Sequence, residues 1–423
     1  MRPFRLFLLT TLLVPALLRA EGVTVRVCEG SCRVFLSPER PALRAVVSAE
    51  EPAAGVLRFD IRTDAGEPVC VFEQPYALGG GDSVRLGFEF QAAPGFYRAS
   101  LRDGEREAAA FTFGCDPERI ESPVDAQSDF DEFWARARAE LDAVAPRYRL
   151  HPDRERSTEK RRIYLVEMRS LGGETIRGYY AEPVAPGKYP AVVTFMGYGS
   201  DAWCPDADAA PERVEFVLSH RGQGLNKPEN RYGDWVVSGL ESPETYYYRG
   251  AFMDAVRAID FVASRPKVDT RLIFAEGGSQ GGALTLAACA LDDRIAAAAP
   301  YVPFLNDFPD YLDIAPWPAS ALFPAAERLG IDREELLRRL SYFDIKNLAG
   351  RVRCPILMGF GLQDTVCPPH TNFAGYNQLR VPKEWKVYTR RGHDLHNESD
   401  WFVSRDRFFR EHEQSIRQTQ HIN

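Results

Sequence analysis

The chain reads as an α/β protein with an all-β segment in front. Three patterns predict this: short alternating strands up to about residue 116, strand and helix periodicities in alternation from residue 117 onward, and a glycine-rich turn carrying a serine where one such strand meets one such helix. The expected architecture is a mainly parallel sheet with helices on both faces, preceded by a small immunoglobulin-like β-sandwich. The predicted divisions are a leader over 1–20, the sandwich over 21–116 and the α/β domain over 117–423. A length of 423 residues with 45% hydrophobic content suits two domains with a sizeable core.

Arg2 and Arg5 give a positive start, positions 6–18 an apolar stretch, and Ala20 a small residue at its end, which is the pattern of a secretory signal peptide. The stretch falls short of the roughly twenty apolar residues a spanning helix needs, and no cysteine stands at the junction. A periplasmic or secreted mature chain without a stable membrane anchor is expected. Alternating strands follow at 23–27, 43–47, 56–61, 84–88 and 96–101, separated by turn residues at sandwich-like intervals. Tyr97, after Pro94-Gly95, is a core corner or a glycan-stacking aromatic, and burial is the commoner use. An oxidising compartment permits disulfides. Cys28 and Cys32 are the easiest local pair, and Cys289 falls on an apolar helix face as a buried thiol.

From residue 128, Ser-Asp-Phe-Asp caps a helix through Leu141, with Phe130, Phe133 and Trp134 on its apolar side. A buried strand is predicted over 189–195, and its loop Met196-Gly-Tyr-Gly199 places the Tyr198 N–H as a backbone donor. Another strand over 214–218 runs into Arg221-Gly-Gln223, and a helix pattern covers 246–264. The run 271–275 then reads as a strand, Gly277-Gly-Ser-Gln-Gly281 as a sharp turn, and 283–290 as a helix. This is the context of a nucleophile elbow: Gly277 and Gly281 let helix and strand approach, and the Gln280 N–H at the helix start faces the space beside Ser279 Oγ. After an alanine-rich strand, the aromatic stretch from 301 to 317 is expected to include a lid or pocket wall, with Phe304 and Trp317 either shaping access or packed in the core. Strands at 355–360 and 385–388 precede a terminal helix over 401–411.

A serine nucleophile needs a base. Of seven histidines, His151 and His220 precede the elbow, while His412 and His421 lie in or beyond the terminal helix. Of His370, His393 and His396, the best placed is His393, in the turn after the last strand, with His396 as the alternate. The acid is Asp364, in the loop after the strand at 355–360, which completes the order Ser, Asp, His of an α/β-hydrolase. Asp364 would hold His393 Nδ1–H, and Nε2 would take the Ser279 proton. The oxyanion donors are the N–H groups of Tyr198 and Gln280.

Arg221-Gly-Gln223, Gly277-Gly-Ser-Gln-Gly281, Gly361-Leu-Gln-Asp364 with Cys367-Pro-Pro369, and the histidine turn together resemble the acetyl xylan esterase and cephalosporin-C deacetylase family, carbohydrate esterase family seven. The resemblance runs from about Pro117 to the end. It implies Ser279 as nucleophile, Asp364 as acid, His393 as base, Tyr198 and Gln280 as oxyanion donors, and Arg221 and Gln223 as buttresses. It also implies removal of O-acetyl groups from xylo-oligosaccharides or related sugars, and a homo-oligomer. One departure is His393-Asp394, where the family commonly has His-Glu; the acid lies outside the triad, so a change in local support is expected.

A net charge of −8 without a basic block argues against nucleic acid as a partner. The histidines and cysteines lack zinc-like spacing, and no phosphate-binding glycine loop ends in Gly-Lys-Ser/Thr. No metal or organic cofactor is expected. Two other readings remain at this point: a peptidase of the prolyl-oligopeptidase type, which shares the elbow but carries a much larger N-terminal propeller, and a glycan-binding protein without turnover.

Overall fold

The computed structural model describes residues 22–396 and 400–422, so the predicted leader lies outside the described residues. Eight strands come first: β1 (Val23–Val27), β2 (Val34–Phe35), β3 (Ala42–Ala49), β4 (Ala53–Thr63), β5 (Pro68–Leu78), β6 (Ser83–Glu89), β7 (Gly95–Asp103) and β8 (Arg106–Cys115). They form two sheets, β1-β3-β6 and β2-β8-β7-β4-β5. Alternation puts Leu43 and Val47 of one sheet and Leu57, Phe59, Leu101 and Phe113 of the other into one buried cluster. Tyr97 belongs to this core: its hydroxyl donates to the Ala93 carbonyl at 2.8 Å and its ring stacks on Phe113. All eight cysteines are free thiols. Cys32 does not pair with Cys28; its Sγ lies 3.1 Å from the Thr389 carbonyl of the α/β segment.

Nine further strands make a single sheet: β9 (Arg149–Asp153), β10 (Arg161–Arg169), β11 (Thr175–Pro183), β12 (Tyr189–Phe195), β13 (Val214–Ser219), β14 (Val268–Gly278), β15 (Ile295–Tyr301), β16 (Ile356–Gly361) and β17 (Lys383–Tyr388). Their order is β17-β16-β15-β14-β12-β13-β11-β10-β9. The six strands β12 to β17 are parallel. The sheet is nevertheless mixed, because β11, β10 and β9 extend it antiparallel beyond β13. That extension was not predicted, since its many arginines and glutamates obscure the buried Ile163, Val166 and Met168.

Alternate residues of the central strands serve opposite faces. Ile273 and Ala275 join the cluster beneath helices Phe130–Asp142, Tyr247–Ala263 and Gln280–Leu291. Leu272 and Phe274 join Trp401, Phe408 and Phe409 of the terminal helix Trp401–Ile422. Both faces are thereby covered, as a buried parallel sheet requires. The predicted cap of the first helix is different in detail. Asp129 occupies the N-cap position without a side-chain cap bond, and its carboxylate accepts from the Tyr342 hydroxyl instead. β12 lies between β13 and β14, so strand order reverses there and leaves a crevice at the carboxyl ends of the strands.

Candidate active site

Ser279 stands at that crevice, between the last residue of β14 and the first of helix Gln280–Leu291. Its backbone has φ 57° and ψ −123°, a conformation that L-residues rarely adopt. Three backbone bonds hold it there: Ser279 N–H donates to the Tyr301 carbonyl, and its own carbonyl accepts from Ala283 and Phe304. The flanking glycines are required by contact distance. A Cβ on Gly277 would lie 2.5 Å from the Gly281 carbonyl oxygen, and one on Gly281 would overlap the Phe195 carbonyl at the end of β12.

Asp364 and His393 meet across two neighbouring loops. His393 Nδ1 lies 2.8 Å from Asp364 Oδ2. The other carboxylate oxygen accepts from the N–H groups of Val366 (2.8 Å) and Cys367 (2.9 Å), so the buried acid is held at both ends. The two loops are themselves tied: Leu362 N–H donates to Tyr388 and Gln363 N–H to Arg391. His396, the alternate base, points elsewhere, with Nε2 2.9 Å from the Tyr301 hydroxyl. His370 is remote from this group, between Asp64 and Asp310.

Tyr198 follows β12 and Gln280 begins the elbow helix; among the described residues neither backbone N–H has a protein acceptor. Gln223 joins the two segments. Its Oε1 accepts from Gly199 N–H at 2.8 Å, and its Nε2 donates to Gln280 Oε1 at 3.1 Å and to the Tyr247 hydroxyl at 2.9 Å. The Gln280 side chain also accepts from the Tyr248 hydroxyl and donates to His220 Nε2. Burial lowers the His220 pKa to about 4, so the ring is neutral and can accept. Arg221 is turned away from the reacting centre and forms a bidentate, buried pair with Asp254.

The crevice is a cavity of about 1100 Å³ lined by Ser279, His393, Tyr198, Trp203, Trp317 and Tyr301, among others. Of the two roles left open, Trp317 takes that of wall and Phe304 that of core, buried behind it and stacked on its ring at 4.9 Å. One end of the cavity is polar: Arg405 pairs with Glu276 at 2.5 Å, and Glu276 accepts from Thr194. Sequence reading missed this group, because Arg405 looks like the solvated face of a charged helix. The available signal was a lone acid, Glu276, inside an apolar strand. Cys367 was also missed: its buried thiol lies against Ser279 and the Tyr311 hydroxyl, and burial raises its pKa well above the usual range, keeping it protonated.

A strained serine at a strand-to-helix turn, an Asp–His pair in the following loops and two backbone donors without a protein acceptor among the described residues, all at the parallel strands of a mixed sheet, define an α/β-hydrolase. The chain belongs to the acetyl xylan esterase family, whose model matches residues 119–408. The acetyl esterase Axe7A of Xylanibacter ruminicola is 29% identical over 309 residues, covering 69% of either chain. Among solved structures, the acetyl xylan esterase from Paenibacillus sp. R4 is 32% identical with a TM-score of 0.65, covering 70% of this chain and 98% of its own. Acetyl xylan esterase 1 from Thermoanaerobacterium sp. JW/SL YS485 is 28% identical with a TM-score of 0.64, covering 70% and 97%. Carbohydrate esterase function follows from the family.

Proposed function

We propose that the protein removes O-acetyl groups from xylo-oligosaccharides or related acetylated sugars by a Ser-His-Asp acyl-enzyme mechanism. Ser279 Oγ attacks the acetyl carbonyl as His393 Nε2 takes its proton, and the N–H groups of Tyr198 and Gln280 stabilise the oxyanion. His393 then protonates the leaving sugar alkoxide, and water deprotonated by the same ring releases acetate. Asp364 holds the tautomer and stabilises the imidazolium. Gln223 and Arg221 act as buttresses, with Gly277 and Gly281 permitting the turn.

The observation that carries this reading is that Ser279 and His393 line one cavity while a buried Asp364 lies 2.8 Å from the far nitrogen of that histidine. Trp203, 46% exposed on the cavity wall, and Trp317 suit the apolar face of a sugar ring. In the same proposal residues 1–20 are a secretion leader, residues 21–116 an immunoglobulin-like unit and 117–423 the catalytic domain. Among the described residues no helix is long and apolar enough to cross a membrane. The relatives' names support an acetylated glycan as substrate.

The test is acetate release from acetylated xylo-oligosaccharides and from acetylated xylan, with Ser279→Ala alongside. Release that vanishes in the variant, with unchanged thermal unfolding, is expected. Undiminished release by the variant would sink the proposal.

A further inference from the structure

Gln363 immediately precedes Asp364, and its side chain reaches out of the α/β segment to the N-terminal strands. Gln363 Oε1 accepts from Thr112 N–H at 2.7 Å, and Nε2 donates to the Thr112 carbonyl at 3.0 Å. Thr112 lies on β8, which pairs with β2 only at Gly114 and Cys115. Beyond that short pairing, β8 presents an open edge, and the Gln363 amide supplies the one donor and one acceptor that a neighbouring strand would supply. The same Nε2 donates to the Thr389 carbonyl at 3.0 Å, in the segment leading to His393. Cys32, also N-terminal, directs its thiol to that carbonyl and lies 3.1 Å from Gln363 Nε2. One amide therefore joins three pieces of chain: the β8 edge, the loop of the acid and the loop of the base.

We infer that the N-terminal strand unit positions the catalytic acid and base, and that Gln363 is the residue through which it does so. The inference rests on the roles proposed above for Asp364 and His393. Asp364 is fixed by two backbone N–H bonds from its own loop, but that loop can move as a body unless it is anchored outside itself. Its outside anchors include the backbone bonds to Tyr388 and Arg391, the Tyr311 hydroxyl, which donates to the Val366 carbonyl at 2.6 Å, and the Gln363 clamp, which alone among these reaches the N-terminal strands. Thr112 and Cys32 lie outside residues 119–408, the stretch that matches the family, so the clamp is built partly from an added segment. It gives that segment a task distinct from binding glycan: it acts on turnover, even for an ester too small to reach the N-terminal strands.

The test uses the full chain and 4-nitrophenyl acetate as that small ester. Wild-type turnover comes first; none would sink the esterase reading and this inference with it. Active sites are then counted with a serine-reactive fluorophosphonate, so that misfolded protein does not enter kcat. Gln363→Met keeps the volume and removes every bond of the amide. Its kcat per titrated site should fall about ten-fold with KM changed less than about two-fold, since a small misplacement of catalytic groups acts on kcat. Thr112→Pro removes the partner N–H from the other side. It should lower kcat in the same way, and the double variant should be no worse than the worse single one. An unchanged kcat per site in Gln363→Met, a loss explained wholly by fewer titratable sites, or additive losses in the double variant would each overturn the inference.

Discussion

Asp364 accepts three bonds, from Val366, Cys367 and His393, and only the last enters the proposed mechanism. Asp364→Asn preserves shape but can turn an NH₂ group toward Nδ1 and select the wrong tautomer. A loss of about 10⁴-fold in kcat is expected, with thermal unfolding close to wild type; a loss under about ten-fold would remove Asp364 from the triad. Ser279, Asp364 and His393 were legible in sequence because each follows a strand and sits among small or turn-forming residues. Of the group that fixes Gln280, only Gln223 was named in advance, as a buttress implied by the resemblance. Gln223, His220 and Tyr248 lie 57, 60 and 32 positions away along the chain, and only the fold brings them to one buried amide.

Elements place those residues through two kinds of contact. The elbow depends on the absence of side chains, so Gly281→Ala should displace the helix from β12, lowering both the unfolding midpoint and kcat. Wild-type values for both would show that the close approach to Phe195 is not needed. The loop after β13 depends instead on a buried ion pair. Arg221→Met leaves Asp254, with no exposed surface, without its counter-charge. Breaking such a pair costs about 3–5 kcal/mol, which denaturant unfolding would reveal. The parallel strands β12 to β16 were readable as largely apolar runs bounded by glycine, proline or charged turns, and β17 from the shorter Trp385-Lys-Val-Tyr388. β5 and β8 were not: β5 carries Pro68 and Pro75, tolerated because it is an edge strand, and β8 opens with Arg106-Glu-Ala-Ala-Ala110, a helix-forming composition overruled by pairing with β7.

For the whole molecule, the two segments meet at charged as well as amide contacts. His370 Nδ1 lies 2.8 Å from Asp64 of the loop after β4, and Nε2 lies 3.3 Å from Asp310. Burial alone would lower the His370 pKa, but the neighbouring carboxylates of Asp310 and Asp64 raise it from 6.5 to about 10. A raised folded-state pKa stabilises fully below the unfolded value, so this contact should help most below pH 6.5 and be lost as pH rises through about 10. The gap in unfolding midpoint between wild type and His370→Gln should therefore shrink over that window; a constant gap would mean that the imidazolium is not what joins the segments. In sequence, His370 was legible only as a base candidate less well placed than His393, because its partner Asp64 lies in the other segment.

The most direct test of the account is to label the protein with a serine-reactive fluorophosphonate while following acetate release from acetylated xylo-oligosaccharides, and to map the label by peptide mass spectrometry. The account predicts a single labelled residue, Ser279, with activity falling in proportion to labelling. Acetate release that survives complete labelling of Ser279, or a label on another serine that abolishes it, would contradict the account.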